Sequence, residues 1–209
     1  MNKHNLLLLT LVFSAQFLFA QDVKPLTDEK EFLSKLKETS LSTQTIKAEF
    51  TEEKFLSYLK EPVKSTGVFY YKKENKMRWE KDAPSKYVLL INGDKVKVKE
   101  EEKEKDVSSF NQVIGKIKEM MLTLVNGEFN STKAYQPVYF SNDEVYVVKL
   151  LPKQKRLAAV FDHIQLTFSK KTMRLKELSF YEKSGDKSVM KFFKDTVNEN
   201  LSDELFVNF

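Results

Sequence analysis

Alternating apolar and polar residues run through most of this chain and predict β-strands. The segment 46–51 alternates Ile, Ala and Phe with Lys, Glu and Thr, which is the pattern of a strand with one buried face. Asn92-Gly93-Asp94 is the strongest hairpin turn signal in the sequence. Counting such segments along the chain predicts about nine to eleven strands, in the order helix, strands, helix, strands.

Apolar residues at helical spacing predict a short helix near residues 28–38, before the strands. Thr27 is the expected N-cap, and the acidic residues that follow suit the positive end of a helix. Phe32, Leu33 and Leu36 then recur at helical spacing. This segment is therefore expected to bury one apolar face against the sheet.

A second helix is predicted between residues 110 and 125, with Gly127 where a helix should end. Two interpretations stay open for it. It is either a plain core helix packed on the sheet, or a lid with an apolar underside in which the methionines adapt to variable ligands. Its apolar residues are Phe110, Val113, Ile114, Ile117, Met120, Met121, Leu124 and Val125.

The N-terminal segment from Met1 to Ala20 has the features of a secretory leader. A short polar start precedes an apolar run, and Ala20 is a suitable small residue before a cleavage site. The alternative is a retained anchor, which the shortness of the apolar stretch disfavours. We expect cleavage near Ala20, a mature chain of residues 21–209 folded as one domain, and no stable membrane anchor.

Composition narrows the function further. The chain has no cysteine and a net charge of +5, so it has neither disulfides nor a lipid-modified N-terminal cysteine. Aromatic and basic residues interleave at 69–79, as in some single-strand binders, but two amphipathic strands joined by a Glu-Asn turn account for this pattern. Nucleic acid is therefore not an expected partner.

The side chains that catalysis and metal binding rely on are scarce. Without the leader, His163 is the only histidine, and alternation predicts that it faces solvent on a strand. Clustered zinc ligands and glycine-rich phosphate loops are absent from the sequence. We therefore predict no enzyme, no metal and no cofactor, and favour a carrier of apolar molecules.

Several segments together resemble the LolA family of periplasmic carriers of outer-membrane lipoproteins. Residues 46–53, Ile-Lys-Ala-Glu-Phe-Thr-Glu-Glu, are similar to the family's aromatic-x-Ala-x-Phe-x-Gln strand, and residues 89–93, Leu-Leu-Ile-Asn-Gly, to its Leu-Ile-x-Asp-Gly turn. The similarity extends over most of the mature chain, through Gly67, the strand pair at 72–79, Pro84, Ser184-Gly185-Asp186 before Phe192, and a late Phe206.

The resemblance implies a mainly β (α+β) fold: an incomplete, strongly curved antiparallel β-barrel with helices forming a lid over an apolar cavity. The helix at 110–125 would belong to the lid. Where the family often has an Arg-Pro pair that latches the lid, this chain reads Lys73-Glu74, which makes Lys73 a candidate latch. The residues expected to face acyl chains in the cavity are Phe50, Phe69, Tyr71, Met77, Trp79, Leu89 and Ile91.

The same resemblance implies a monomeric periplasmic protein that binds acylated lipoproteins and carries them from the inner to the outer membrane. Its expected partners are an inner-membrane ABC-type release complex and an outer-membrane acceptor. Two alternatives stay open: a carrier of a glycolipid, pigment or other free lipid with the same fold, and an envelope module that binds proteins through sheet edges and aromatic residues.

Overall fold

The computed structural model describes residues 22–106 and 133–209. The predicted leader and the predicted lid residues from Phe110 to Leu124 lie outside these described residues. The chain is mainly β, as predicted. The elements are β1 (Lys24–Pro25), α1 (Glu29–Ser42), β2 (Thr45–Phe55), β3 (Val63–Lys72), β4 (Lys76–Ala83), β5 (Tyr87–Asn92), β6 (Lys95–Glu100), β7 (Lys103–Lys105), β8 (Tyr135–Ser141), β9 (Val145–Pro152), α2 (Lys155–Val160), β10 (Phe161–Ser169), β11 (Leu175–Glu182), β12 (Lys187–Val197) and a C-terminal 3₁₀ helix (Asp203–Phe206).

The strands form one long, curved antiparallel sheet that does not close, which confirms the predicted incomplete barrel. The strand order is β1-β8-β9-β10-β11-β12-β2-β3-β4-β5-β6-β7. Each hairpin pairs neighbours in the sequence, while β2 pairs with β12 and joins the two ends of the chain in the middle of the sheet. The predicted turns at Gly93 and at Glu74-Asn75 are confirmed.

The structure has more strands than the sequence predicts, and one of them corrects a prediction. The charged run at 100–106 is typical of a solvated loop, but Lys103–Lys105 pairs with β6. All three residues of β7 are exposed. Lysine-rich edge strands discourage pairing with other chains, so a polar sequence at this position is compatible with a strand.

The first helix matches its prediction closely but is capped by a different residue. Asp28, not Thr27, is the N-cap, and its carboxylate accepts a hydrogen bond from the Glu31 amide at 2.9 Å. Phe32 and Leu36 are buried against the sheet. We call the sheet face that α1 covers the inner face, and the opposite one the outer face.

Strand register places the apolar residues of β2 to β5 on the inner face. Phe69 pairs with Ala48 on one side and Trp79 on the other, and Trp79 pairs in turn with Leu89. Gly67 belongs to the same face because its backbone lies too close to β4 for a side chain. A Cβ atom there would lie 1.9 Å from the Glu80 carbonyl oxygen and 2.6 Å from the Phe50 ring.

The C-terminal segment covers the outer face of β4 and β5, where its 3₁₀ helix packs. Arg78 lies on this face, as alternation predicts, but it is only 9% exposed. Its guanidinium donates hydrogen bonds to the carbonyls of Leu205 at 2.9 Å and Asn208 at 2.6 Å. Phe206 and Leu90 are buried too, so β5 is covered on both faces, as its nearly continuous apolar sequence predicts.

Candidate functional site: an apolar cavity beneath α1

A cavity of about 100 Å³ lies between the C-terminal half of α1 and the inner face of the sheet. Its walls come from α1, from β2, β3 and β12, and from the β10–β11 turn region. The residues around it are Leu36, Thr39, Ser40, Thr43, Ile46, Ala48, Phe69, Phe168, Met173, Arg174, Leu175, Phe192, Asp195 and Val197.

The floor of the cavity is apolar because alternation in each strand sends every second side chain inward. Ile46 and Ala48 do so from β2, and Phe69 does so from β3. Ala48 is the smallest side chain of this set. Its short side chain leaves space that the aromatic residues around it do not fill, which is one physical reason for a cavity at this position.

A bulge in β12 shapes one wall of the cavity. Phe192 pairs with Phe50 and Val197 pairs with Ile46, with a register shift between Phe193 and Thr196. Val197 comes five positions after Phe192, so in a regular strand the two side chains would point to opposite faces. The extra residue in the bulge, next to Lys194 with its positive φ of 50°, places both on the cavity side.

The rim of the cavity carries one charged pair. The Arg174 guanidinium donates a hydrogen bond to the Asp195 carboxylate at 2.6 Å and a longer one to the Asp195 carbonyl at 3.3 Å. Both side chains are partly exposed. Since each charge is paired, the rim is polar without placing a net charge beside the apolar floor.

Polar contacts tether the C-terminal end of α1 above the cavity. The Lys73 ammonium donates to the Leu41 carbonyl at 2.7 Å, and the Asn198 side chain donates to the Ser42 carbonyl at 3.1 Å. The Asn198 side-chain oxygen also accepts from the Gln44 amide at 2.7 Å. These contacts satisfy carbonyls that a helix end leaves without intrahelical partners. The candidate latch Lys73 therefore binds the last turn of α1.

The seven residues predicted to face acyl chains come together on the inner face of β2 to β5. Phe69 lines the cavity itself. Phe50, Tyr71, Met77 and Ile91 are buried in the adjoining core, and Trp79 and Leu89 pack against that core while staying partly exposed. They form the wall that continues from the cavity along the sheet.

Aromatic rings dominate this wall. The Trp79 ring lies 4.9 Å from that of Phe50, 5.4 Å from that of Phe69 and 6.2 Å from that of Phe192. Burial raises the pKa of the Tyr71 phenol, so that side chain is neutral at physiological pH. The whole wall is uncharged and suited to apolar contact.

Of the fourteen residues around the cavity, Phe69 alone was predicted as a site residue. The region from β10 to β12, which was predicted without any role in a site, contributes Phe168, Leu175, Phe192 and Val197 from its strands and Met173 from the β10–β11 turn. Leu36 was predicted to lie on the buried face of α1, and it could have indicated that this helix covers the site. The positions of the others depend on a bulge and a turn that alternation alone does not reveal.

No catalytic arrangement stands out in the described residues. His163 was predicted to face solvent, but its side chain is only 15% exposed because it stacks on Tyr181 at 4.2 Å. It contacts the Asp162 carboxylate at 2.8 Å, and hydrogen bonds from Lys183 and His163 lower the pKa of Asp162 to about 2. Within residues 22–106 and 133–209, no three His, Cys, Asp or Glu side chains cluster as metal ligands.

None of the helices in the described parts of the chain is both long and apolar enough to cross a membrane.

Comparison with known proteins gives a clear family match. The family model described as outer membrane lipoprotein carrier protein LolA matches residues 41–208. A search of curated proteins finds no significant match.

Solved structures with a similar fold are distant in sequence. A LolA superfamily protein from Nitrosomonas europaea is 14% identical, with 84% of this chain and 96% of that chain covered and a TM-score of 0.42. An outer membrane lipoprotein-sorting protein domain from Vibrio parahaemolyticus is 10% identical, with 84% and 94% covered and a TM-score of 0.45. The MucA/MucB complex of Pseudomonas aeruginosa gives 11% identity, 84% and 59% coverage and a TM-score of 0.44. Likenesses this remote carry no argument about activity, which rests on the family match and the site.

Proposed function

Since the chain belongs to the LolA family of outer membrane lipoprotein carriers, we propose that it carries lipoproteins between the inner and outer membranes with their acyl chains held beneath α1. The observation that carries this proposal is the apolar cavity between the C-terminal half of α1 and the inner face of the sheet. The family fold is one of carriers rather than of enzymes.

The physical need for such a carrier follows from the cost of exposing lipid to water. Each methylene group that leaves water is stabilised by about 0.8 kcal/mol, so a lipid-modified protein stays in a membrane unless its chains are sheltered. The aromatic floor around Phe69 and Phe192 offers that shelter. The Arg174–Asp195 pair at the rim would face the polar part of the cargo.

The size of the cavity implies that its roof moves. An apolar cavity of about 150 Å³ holds one benzene molecule, so about 100 Å³ admits only part of a long acyl chain. Opening of α1 would join the cavity to the wall formed by Trp79, Met77 and Leu89. Cargo would then favour an open arrangement over the closed one.

In this mechanism Lys73 acts as the latch of the closed arrangement. Its hydrogen bond to the Leu41 carbonyl holds the end of α1 against the β3–β4 turn. A lysine is a single-point donor without the planar fork of arginine, so this latch is released by breaking one contact. The segment from Phe110 to Leu124 is proposed, from its sequence, to extend the roof.

The cellular route remains part of the proposal. Members of the family are periplasmic, and the leader would direct this chain there and be removed near Ala20. An inner-membrane ABC-type complex would load the carrier, and an outer-membrane acceptor would receive the cargo. The affinity for acyl chains has to be intermediate, because the same cavity must also release them.

The test is whether the mature protein keeps a triacylated lipopeptide in solution. Co-elution of the two on size exclusion, with no co-elution of the same peptide lacking its acyl chains, supports the proposal. Failure with the acylated peptide refutes it. Recovery of a free glycolipid from protein purified from its own periplasm, together with that failure, would favour the free-lipid alternative instead.

A glutamate in the predicted roof tests the segment outside the described residues. Ile117→Glu should weaken capture of the lipopeptide while leaving the circular dichroism spectrum of the sheet unchanged. The exposed position Val207 gives a matched control, since Val207→Glu adds the same charge in the C-terminal segment on the outer face. Unchanged capture by Ile117→Glu would remove that segment from the mechanism.

A further inference from the structure

Large apolar side chains are unevenly distributed over the surface. Eight of them are strongly exposed in the described residues, and five of these lie at one end of the sheet. Strand pairing places them at the same end of the sheet. Phe55 in β2 pairs with Lys187 in β12, and Glu182, across the β11–β12 turn from Lys187, pairs with Phe161 in β10. The five residues are Phe55, Tyr58, Leu59, Leu151 and Val160.

Three of the five belong to the tip of the β2–β3 hairpin, residues 54–60, which we call the hairpin tip. Its sequence is Lys-Phe-Leu-Ser-Tyr-Leu-Lys. Tyr58 is 76% exposed and Leu59 is 45% exposed. Neighbouring aromatic and aliphatic residues of this size are normally buried in a soluble domain, so their exposure at one projecting turn indicates a surface with a binding role.

The hairpin tip has a defined conformation. The Ser57 amide donates to the Asp186 carboxylate at 2.8 Å, and the Leu59 amide donates to the Leu56 carbonyl at 2.9 Å. The hydrogen bond from Ser57 is also the main cause of the lowered pKa of Asp186. The tip is thus fixed to the β11–β12 hairpin, and its apolar residues are held outward by the fold.

The charged residues around the hairpin tip indicate which kind of surface it would bind. Lys54 and Lys60 flank its apolar residues and both are exposed. Lys54 also attracts the Asp186 carboxylate at the base of the tip. A tyrosine and two lysines around a short apolar segment match the interface of a bilayer, where aromatic rings lie at the headgroup level and lysines reach anionic groups.

We propose that the hairpin tip docks this protein on bilayers with anionic lipid headgroups, with Tyr58 and Leu59 entering the interface and Lys54 and Lys60 contacting the headgroups. The exposed Leu151 and Val160 at the same end of the sheet would extend the contact. Because β2 rises about 3.3 Å per residue, Ile46 in the cavity lies about 30 Å from Phe55. Docking by the tip therefore leaves the rim of the cavity away from the lipid.

The test is sedimentation of the unloaded mature protein with vesicles of phosphatidylcholine alone and of phosphatidylcholine with phosphatidylglycerol. Binding is expected only to the anionic vesicles and should weaken with salt. The double variant Tyr58→Ser/Leu59→Ser should lose at least about tenfold in vesicle affinity. Val207→Ser, which removes an exposed apolar residue at the C-terminal end, is the matched control and should bind as the wild type does.

A charge variant separates apolar insertion from electrostatic attraction. Lys54→Gln/Lys60→Gln should weaken binding to anionic vesicles and flatten its salt dependence. Absence of wild-type binding, or equal binding by the Tyr58→Ser/Leu59→Ser variant, would overturn the proposal, as would a tip that binds an envelope protein but no vesicle. Since no acylated cargo is present, the outcome is independent of the carrier function. A circular dichroism spectrum and a urea denaturation midpoint equal to those of the wild type show that the tip variants are folded.

Discussion

The two halves of α1 meet the sheet in different ways. The N-terminal half anchors Phe32, which is 1% exposed and lies 4.6 Å from the Tyr146 ring, 5.9 Å from the Tyr139 ring and 6.0 Å from the Phe168 ring. The C-terminal half lies above a cavity, and its end is held by hydrogen bonds from Lys73 and Asn198 side chains. The N-terminal half of α1 is therefore closely packed, whereas its C-terminal half lies over the cavity.

This contrast indicates which part of α1 can move away from the sheet. Burial of a large aromatic side chain is worth several kcal/mol, whereas a single exposed hydrogen bond contributes about 1 kcal/mol. Local opening follows the regions with few buried apolar contacts. We therefore expect the C-terminal half of α1 to move while Phe32 keeps its place.

The largest expected effect comes from breaking the packed end. Phe32→Ala should lower the free energy of unfolding by about 3–5 kcal/mol, because it leaves a cavity among three aromatic rings. Leu41→Ala, in the exposed last turn of the same helix, should change it by about 0.5 kcal/mol or less. Urea denaturation measures both. Similar losses for the two variants would mean that the ends of α1 are equally packed.

The second largest effect is expected in the wall behind the cavity, where added volume should destabilise the fold. Gly67→Ala introduces a Cβ atom against the Glu80 carbonyl and the Phe50 ring. We expect a loss of about 1–3 kcal/mol in the free energy of unfolding. Ala159→Leu, which enlarges an exposed residue of α2, is the control and should have little effect. A neutral Gly67→Ala would show that β3 and β4 are less closely packed than described.

Filling the cavity should weaken ligand binding with little change in the stability of the fold. Ala48→Leu adds three carbon atoms at the cavity floor, where there is space for them, so stability should change by about 1 kcal/mol or less. Affinity for an apolar fluorescent probe should fall about tenfold, since the added side chain occupies the binding space. Unchanged probe binding by Ala48→Leu, with Ala159→Leu as control, would place the ligand elsewhere.

Removing the Lys73 hydrogen bond should change the rate of ligand uptake more than the stability of the fold. Lys73→Met removes the hydrogen bond to the Leu41 carbonyl while keeping an unbranched side chain. We expect a stability loss of about 1 kcal/mol and about fivefold faster uptake of the probe. Lys73→Arg restores a donor and should restore the slower uptake in stopped-flow fluorescence. Equal uptake by all three proteins would show that Lys73 is not a latch.

The smallest effect concerns pH at a site remote from α1. The folded pKa of Asp162 is lowered to about 2 from its usual 3.8, so its carboxylate favours the folded state when ionised. This contribution is present above about pH 4 and is lost as the pH falls toward 2. As the pH falls from about 4 toward 2, the Asp162→Asn variant should therefore lose slightly less stability than the wild type. Urea denaturation midpoints at each pH measure this difference. An unchanged pH profile would argue against the contact of Asp162 with Lys183 and His163.

Local patterns in the sequence were enough to predict the sheet and the inner face of β2 to β5. Alternation fixes which residues of one strand share a face, while the grouping of Phe50, Phe69 and Trp79 in one wall was implied by the family resemblance. The rim could not be predicted, because the position of Asp195 depends on a bulge near Lys194. A bulge is set by pairing with a distant strand, here β2, and leaves no clear local signal.

The outer face shows the same limit. Alternation places Arg78 on the face opposite to Met77, but nothing local in the sequence links Arg78 to the C-terminal segment. Their contact joins residues more than one hundred positions apart through the backbone carbonyls of Leu205 and Asn208. Since backbone carbonyls are the same in every residue, such a partner cannot be identified from side-chain pattern.

The central claim is that the space beneath the C-terminal half of α1 receives an acyl chain. Trp79 is the only tryptophan, and its ring contacts Phe69 on the cavity floor, so its fluorescence reports on this site. The most direct measurement is a titration of wild type and Ala48→Leu with a triacylated lipopeptide and with its deacylated form. The account predicts a saturable change only with the acylated form, at about tenfold higher concentration for Ala48→Leu than for wild type; a response to both peptides, or equal affinity of wild type and Ala48→Leu, would contradict it.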